Sequence, residues 1–170
     1  MAGPVATLAL PFVSRSRRGA LIDEDYRYAL WRTWSAGPAV LFVGLNPSVA
    51  DAQSDDPTIR RCIRFAMDWG FGTLYMGNLF AYRTTWPEYL KKAADPVGPG
   101  NEAALAWMSG ECSLVVAAWG VHGAFLGRGE AVCRAFRDRG TPLHVLGLTK
   151  DGSPKHPLYL PAATRPVLWS

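Results

Sequence analysis

The sequence predicts a three-layer α/β/α sandwich on a short, mainly parallel four-stranded sheet, with room for an antiparallel edge strand near the N-terminus. Three observations predict it. Short continuous apolar runs at 39–44, 73–78, 114–119 and 143–148 have the length of strands buried on both faces. Segments with helical apolar spacing separate them, the alternation expected of βαβ units. Each run ends near a glycine and a polar side chain, at the sheet end where open α/β folds gather their ligand loops.

Taken in chain order, residues 1–19 carry the basic cluster Arg15, Arg17 and Arg18 among serines and show no period, which reads as a loosely packed arm. Residues 20–170 are then one α/β domain. From Tyr26 to Trp34, Tyr26, Tyr28 and Leu30 alternate as in a strand, although Trp31 at the opposite parity leaves a helix open. The run Ala39-Val40-Leu41-Phe42-Val43-Gly44 is the clearest strand. Asp56-Pro57 opens a helix, with Asp56 as N-cap and Pro57 at the first helical position, where a missing N–H costs nothing. Ile59, Ile63, Ala66 and Met67 supply its apolar face and Arg60, Arg61, Arg64 and Asp68 a solvated one, and Gly70 stops it. The pattern repeats with strand 73–78, a helix from about Asn101 to Met108, strand 114–119, a helix from about Gly129 to Arg139 ended by Gly140, and strand 143–148.

Hydrophobic residues at 49% and charged residues at 19% are a globular composition, long enough at 170 residues to bury a core without cross-links. Cys62, Cys112 and Cys133 are odd in number and show no ligand spacing, so neither a disulfide framework nor a zinc site is expected, and the cytoplasm is the natural compartment. In the apolar opening from Met1 to Phe12 the basic residues follow the apolar stretch, the wrong order for a secretory signal, and no run has the length of a membrane span. A net charge of +4 favours an acidic partner, but many basic proteins bind no nucleic acid, and the charge by itself does not name DNA or a nucleotide. No obligate protein partner is evident. The acidic group Asp51, Asp55 and Asp56 lacks a phosphate-cradling GxxxxGK[ST] element, so no metal or organic cofactor is expected. There is also no GxSxG elbow.

The candidate site residues lie at the strand ends. The first run leads into Gly44-Leu45-Asn46-Pro47-Ser48, the second into Asn78-Leu79-Phe80-Ala81-Tyr82-Arg83, and the third into Trp119-Gly120-Val121-His122. The fourth leads into Gly147 and then Lys150-Asp151-Gly152-Ser153-Pro154-Lys155-His156-Pro157. Asn46-Pro47 reads equally as a turn signal. Asn78, an amide at the end of a buried strand, must bond either an internal partner or a ligand. His156 sits in a polar loop, whereas His144 falls inside a strand pattern and His122 between the two cases.

The segments LFVGLNPSVAD, DDPTIRRCIRFAMDWGFG, NLFAYR, DPVGPGNE, VVAAWG and LGLTKDGSPKHPLYLP resemble the bacterial family known as domain of unknown function 1643, over nearly all of the chain after Tyr26. More distantly, the order of motifs is similar to the uracil-DNA glycosylase superfamily. Its members have a strand ending in G-x-[DN]-P-x, a strand ending in a base-recognising Asn, a strand ending near W-G, and a late H-P loop. That resemblance implies a DNA base glycosylase-like hydrolase that cleaves the N-glycosidic bond of a uracil-like or modified pyrimidine and serves DNA repair. Asn46 would position the attacking water with help from Asp51, and His156 would stabilise charge on the departing base. Asn78 would bond the base edge, with Ser48, Phe80 and Tyr82 around it, and Lys150, Ser153, Lys155 and Leu160 would contact the nucleic acid or its phosphates. Such chemistry needs a fixed donor where negative charge develops, and a base out of its stack to be reached. The chain departs from the superfamily pattern in three places. Asn46 replaces the aspartate of the most active uracil enzymes, Ser48 replaces a bulky tyrosine and so implies room for a 5-substituent, and the late loop reads HPLYL instead of HPSPL. Two other readings stand beside this one: an enzyme on a free nucleotide or nucleoside with Lys150 and Lys155 at its phosphate, and a non-catalytic module that recognises a modified base or a protein.

Overall fold

The computed structural model describes residues 17–170, a mixed seven-stranded sheet with helices on both faces. Its strands are β1 (Arg18–Asp23), β2 (Tyr26–Thr33), β3 (Ala39–Gly44), β4 (Thr73–Asn78), β5 (Leu114–Ala117), β6 (His144–Val145) and β7 (Val167–Leu168), in the spatial order β1-β2-β4-β3-β5-β6-β7. The expected parallel unit is present as β4-β3-β5-β6. It is not the whole sheet. β1 and β2 form an antiparallel hairpin docked on β4, and β7 closes the far edge against β6.

The expected sheet of four strands is thereby corrected to seven. β1 begins at Arg18, within the segment expected to be an arm; Arg15 lies outside the described residues. β7 is two exposed residues, too short to show a period. The fourth apolar run pairs over only two residues, because Leu148 turns out to bridge Pro154 instead of extending the parallel ladder.

Four helices cover the sheet: α1 (Pro57–Asp68), α2 (Pro87–Lys92), α3 (Asn101–Glu111) and α4 (Arg128–Asp138), with a short 3₁₀ segment at Val121–Gly127. Asp56 caps α1 by accepting from the Ile59 N–H at 2.9 Å, with Pro57 in the first turn. At the other end Gly70, at φ 89°, lets Phe71 N–H reach back to Ala66 O, the left-handed stop that glycine tolerates best. The buried face of α1 is Ile59, Cys62, Phe65 and Ala66; Met67, expected inside, is exposed, since Phe65 fills the contact with Phe42 and Trp69. α2 follows Trp86-Pro87 and is too short for a helical period to show in sequence.

α1 packs on one face over Val40, Phe42, Leu74 and Met76, whereas α3 and α4 pack on the other over Leu41, Val43, Tyr75 and Val115. The chain leaves β3 toward β4 on one side and leaves β5 toward β6 on the other. The carboxyl ends of β3 and β5 therefore bound a topological switch point, where the diverging loops open a crevice.

Two buried arginines of β2 hold the loop between β3 and α1. Arg32, 2% exposed, bonds the Asp55 carboxylate at 2.9 Å and the Asp51 and Ser54 carbonyls at 2.5 and 3.2 Å. Arg27 reaches the same loop at Ala50 O, 3.0 Å away. Between β1 and β2 the register steps from Leu21 opposite Ala29 to Ile22 opposite Arg27, leaving Tyr28 as an extra residue. Such a bulge re-aims the side chains beyond it. Tyr28 and Ala29 both enter the core under α3, and Arg27 emerges on the α1 side.

Candidate functional site

At the switch point lies a cavity of about 620 Å³, within the range that holds small ligands. Asn46, Asn78 and His156 all line it, so three side chains far apart in sequence meet in one hollow. Ser48, Lys155 and Leu160 also line it, as do Trp119 and His122 from the loop after β5.

Asn46 is held by its loop. Its Nδ2 donates to Thr84 O at 2.7 Å and to Pro47 O at 3.1 Å. Since only the NH₂ end can donate to two carbonyls, the amide orientation is fixed, and Oδ1 is left as an acceptor. The donor end thus makes the turn, and the residue as a whole lines the cavity, so the turn reading and the ligand reading of Asn46-Pro47 do not exclude each other.

Asn78 resolves differently. It is 2% exposed, and its Nδ2 is buried without a hydrogen-bond partner among the described residues. Its backbone carbonyl is bonded by Asn101, so only the side chain is unsatisfied. The carboxamide lies against Gly44, where a Cβ would come within 2.9 Å of Asn78 Oδ1. The glycine is there for close approach.

His156 accepts at Nδ1 from the Leu158 N–H at 3.2 Å. That bond places the proton of the neutral ring on Nε2. Although the residue is exposed overall, desolvation by the cavity walls lowers its pKa below the ordinary histidine value, partly offset by Asp56. The ring is thus a neutral donor near pH 7.

Apart from Ser48, Lys155 and Leu160, the remaining expected site residues lie elsewhere. Asp51 turns its carboxylate to the Gln53 and Ser54 N–H groups, which depress its pKa, and is not on the cavity wall. Phe80 is completely buried in the core, its ring tilted against Phe125, and Tyr82 packs edge-on against Tyr26. Lys150 is exposed and Ser153 closes the Thr149 turn; neither lines the cavity. Leu160 is half-buried, tied through its carbonyl to Arg61, while Tyr159 beside it is 97% exposed at φ 72°. The third acidic residue, Asp55, pairs with Arg32.

Reading the sequence missed four wall residues. Arg27 is buried on the cavity wall, Asp56 lines it besides capping α1, and Thr84 and Thr85 close one rim, Thr85 pairing with Ser48 at 3.0 Å. The signal for Arg27 was an arginine inside an otherwise apolar strand pattern. Nothing in sequence marked the threonines.

Together these define an open α/β protein with a crevice at its switch point, lined by an oriented amide, an unsatisfied amide and a neutral imidazole. The chain belongs to the family described as protein of unknown function (DUF1643), whose model matches residues 27–158. No curated protein and no solved structure matches it.

Proposed function

We propose that the cavity binds a uracil-like or modified pyrimidine and hydrolyses its N-glycosidic bond, as in a DNA base glycosylase-like enzyme. The observation that carries the reading is the Asn78 amide, whose buried donor lacks a partner among the described residues and would gain one from the edge of a base. His156, neutral with its proton on Nε2, is suited to donate to a base oxygen as negative charge develops on the leaving group. Asn46 Oδ1 is the acceptor available to orient a water. Asp56, on the same wall, takes the helping role that the sequence suggested for Asp51. The aromatic surface for the base comes from Trp119 in place of Phe80 and Tyr82.

A second reading, an enzyme on a free nucleotide, is favoured by one observation: a buried arginine, Arg27, lines the same cavity. The test is glycosylase assay of the full chain on oligonucleotides with uracil, thymine mismatches and 5-substituted pyrimidines, alongside the corresponding free nucleotides. Base release that Asn78→Ala and His156→Ala each abolish supports the first reading if only oligonucleotides react, and the second if only nucleotides do. Absence of release from either set, with no binding of free base, refutes both.

A further inference from the structure

β2 contributes two arginines, each 2% exposed, and they are used differently. Arg32 makes five hydrogen bonds, to Asp55 Oδ1 and to the carbonyls of Gly19, Trp31, Asp51 and Ser54. A guanidinium has five N–H groups, so Arg32 is saturated. Among the described residues the Arg27 guanidinium makes one bond, from Nη1 to Ala50 O, and its Nε is buried without a partner. Among the described residues no carboxylate stands within ion-pair distance of it. Asp56 attracts it from farther off, and the Arg83 and Arg32 guanidiniums repel it; burial, the largest influence, pushes its pKa down to about 10. Arg83 also has a buried Nε without a partner.

Arg27 lines the cavity, and the hydroxyl-bearing residues Ser48, Thr58, Thr84 and Thr85 share its wall. A buried cation that lines a hollow is complementary to a planar or tetrahedral oxyanion, which accepts two N–H bonds at once from a guanidinium. We propose that the cavity contains an oxyanion subsite at Arg27, which seats the phosphate or carboxylate of a small ligand whose remainder extends toward Asn78. Because the guanidinium is almost wholly buried, the anionic group has to be carried inside. The backbone phosphates of a strand lying across the mouth are poorly placed to reach it, and Lys155, exposed at the rim, is better suited to them. The proposal rests on the reading of this cavity as a ligand site and names the charge of its ligand.

Isothermal titration of the full chain with matched probes tests it: uridine against uridine 5′-monophosphate, uracil against orotate, and inorganic phosphate alone. The expected result is at least tenfold tighter binding of the charged member of one pair, the phosphate pair or the carboxylate pair identifying the source. Arg27→Met removes that preference, Arg27→Lys retains part of it, and Lys92→Met, a charge removed from the exposed end of α2 and away from the cavity wall, leaves it in place. Equal binding of both members of each pair by the wild-type chain overturns the subsite without recourse to any variant, as does a preference that survives Arg27→Met. Uracil binding that depends on Asn78 with no preference for charge leaves the proposed base chemistry standing and removes this inference. Arg27-dependent binding of phosphate with no affinity for uracil or uridine does the reverse.

Discussion

Replacing Asn78 by leucine separates a binding amide from a packing amide. In the free protein the Asn78 Nδ2 is buried without a partner, and leaving such a donor unsatisfied costs about 1–3 kcal/mol. Leucine has a similar size, removes the polar group and lies against Met76 and the Cα of Gly44 without needing a hydrogen bond. The substitution is therefore expected to stabilise the folded state by about 1–3 kcal/mol while abolishing ligand binding, the trade expected of a residue kept for function. For a chain of this length each kcal/mol moves the midpoint of thermal unfolding by about 2–4 °C. Urea denaturation with both midpoint and slope measured, backed by a thermal scan, reads the change, and uracil titration reads the loss of binding. A loss of more than about 1 kcal/mol in Asn78→Leu, at unchanged slope, would mean that the amide satisfies an internal partner. The ligand argument would then fall.

Three further outcomes follow from the same geometry. Arg32→Met leaves Asp55 and two loop carbonyls without their buried partner and is expected to cost about 3–5 kcal/mol in urea denaturation; a cost below about 1 kcal/mol contradicts the clamp. Gly44→Ala pushes a methyl to 2.9 Å from both Asn78 Oδ1 and Met76 Cε, with an expected loss of about 1–3 kcal/mol in stability and weaker uracil binding; unchanged binding shows that the amide does not need its present position. His156 has a folded pKa below its unfolded value, so as pH falls through the ordinary histidine range the unfolded chain takes the proton first and stability declines. Full stability holds above that range, and base release that needs the neutral ring is expected to persist to a lower pH than an unperturbed histidine would allow. His156→Asn should flatten the acid-side decline in stability, and an identical decline in the variant assigns it to other groups.

The parallel part of the fold was legible because its signals are local. A strand buried on both faces shows itself as an unbroken apolar run, and Asp56-Pro57 marks a helix start by backbone chemistry alone. The same logic located the cavity, since the ends of parallel strands converge whatever their exact partners. What stayed hidden depends on pairing at a distance. Whether Arg27 faces solvent or a cavity is decided by a bulge at Tyr28, and a bulge is a relation between two strands that neither strand states by itself. Phe80 and Tyr82 looked like wall residues because they follow Asn78. Yet Phe80 N–H bonds Leu45 O and Ala81 N–H bonds Val97 O, which turns their segment inward and gives the rim to Thr84 and Thr85.

The polar groups of the cavity share one mode of support. Asn46 is oriented by two carbonyls, one from the segment after β4, and His156 takes its tautomer from the Leu158 N–H within its own loop. The loop that carries Asn46 and Ser48 is in turn braced by Arg27 and Arg32 from β2. Each functional atom is thus held by backbone, and backbone geometry is set by the sheet. Preorganisation of this kind leaves little rotamer freedom to be lost when a ligand binds, and it fixes donors before charge develops. Asn78 and Arg27 are the exceptions, since in each a buried donor is left unspent. An unspent buried donor is a cost to the folded state, and these two differ from others among the described residues, such as Arg83 Nε and Arg128 Nη2, in belonging to residues that line the cavity. On the proposed reading, one ligand with a hydrogen-bonding edge at one end and a negative charge at the other would satisfy both.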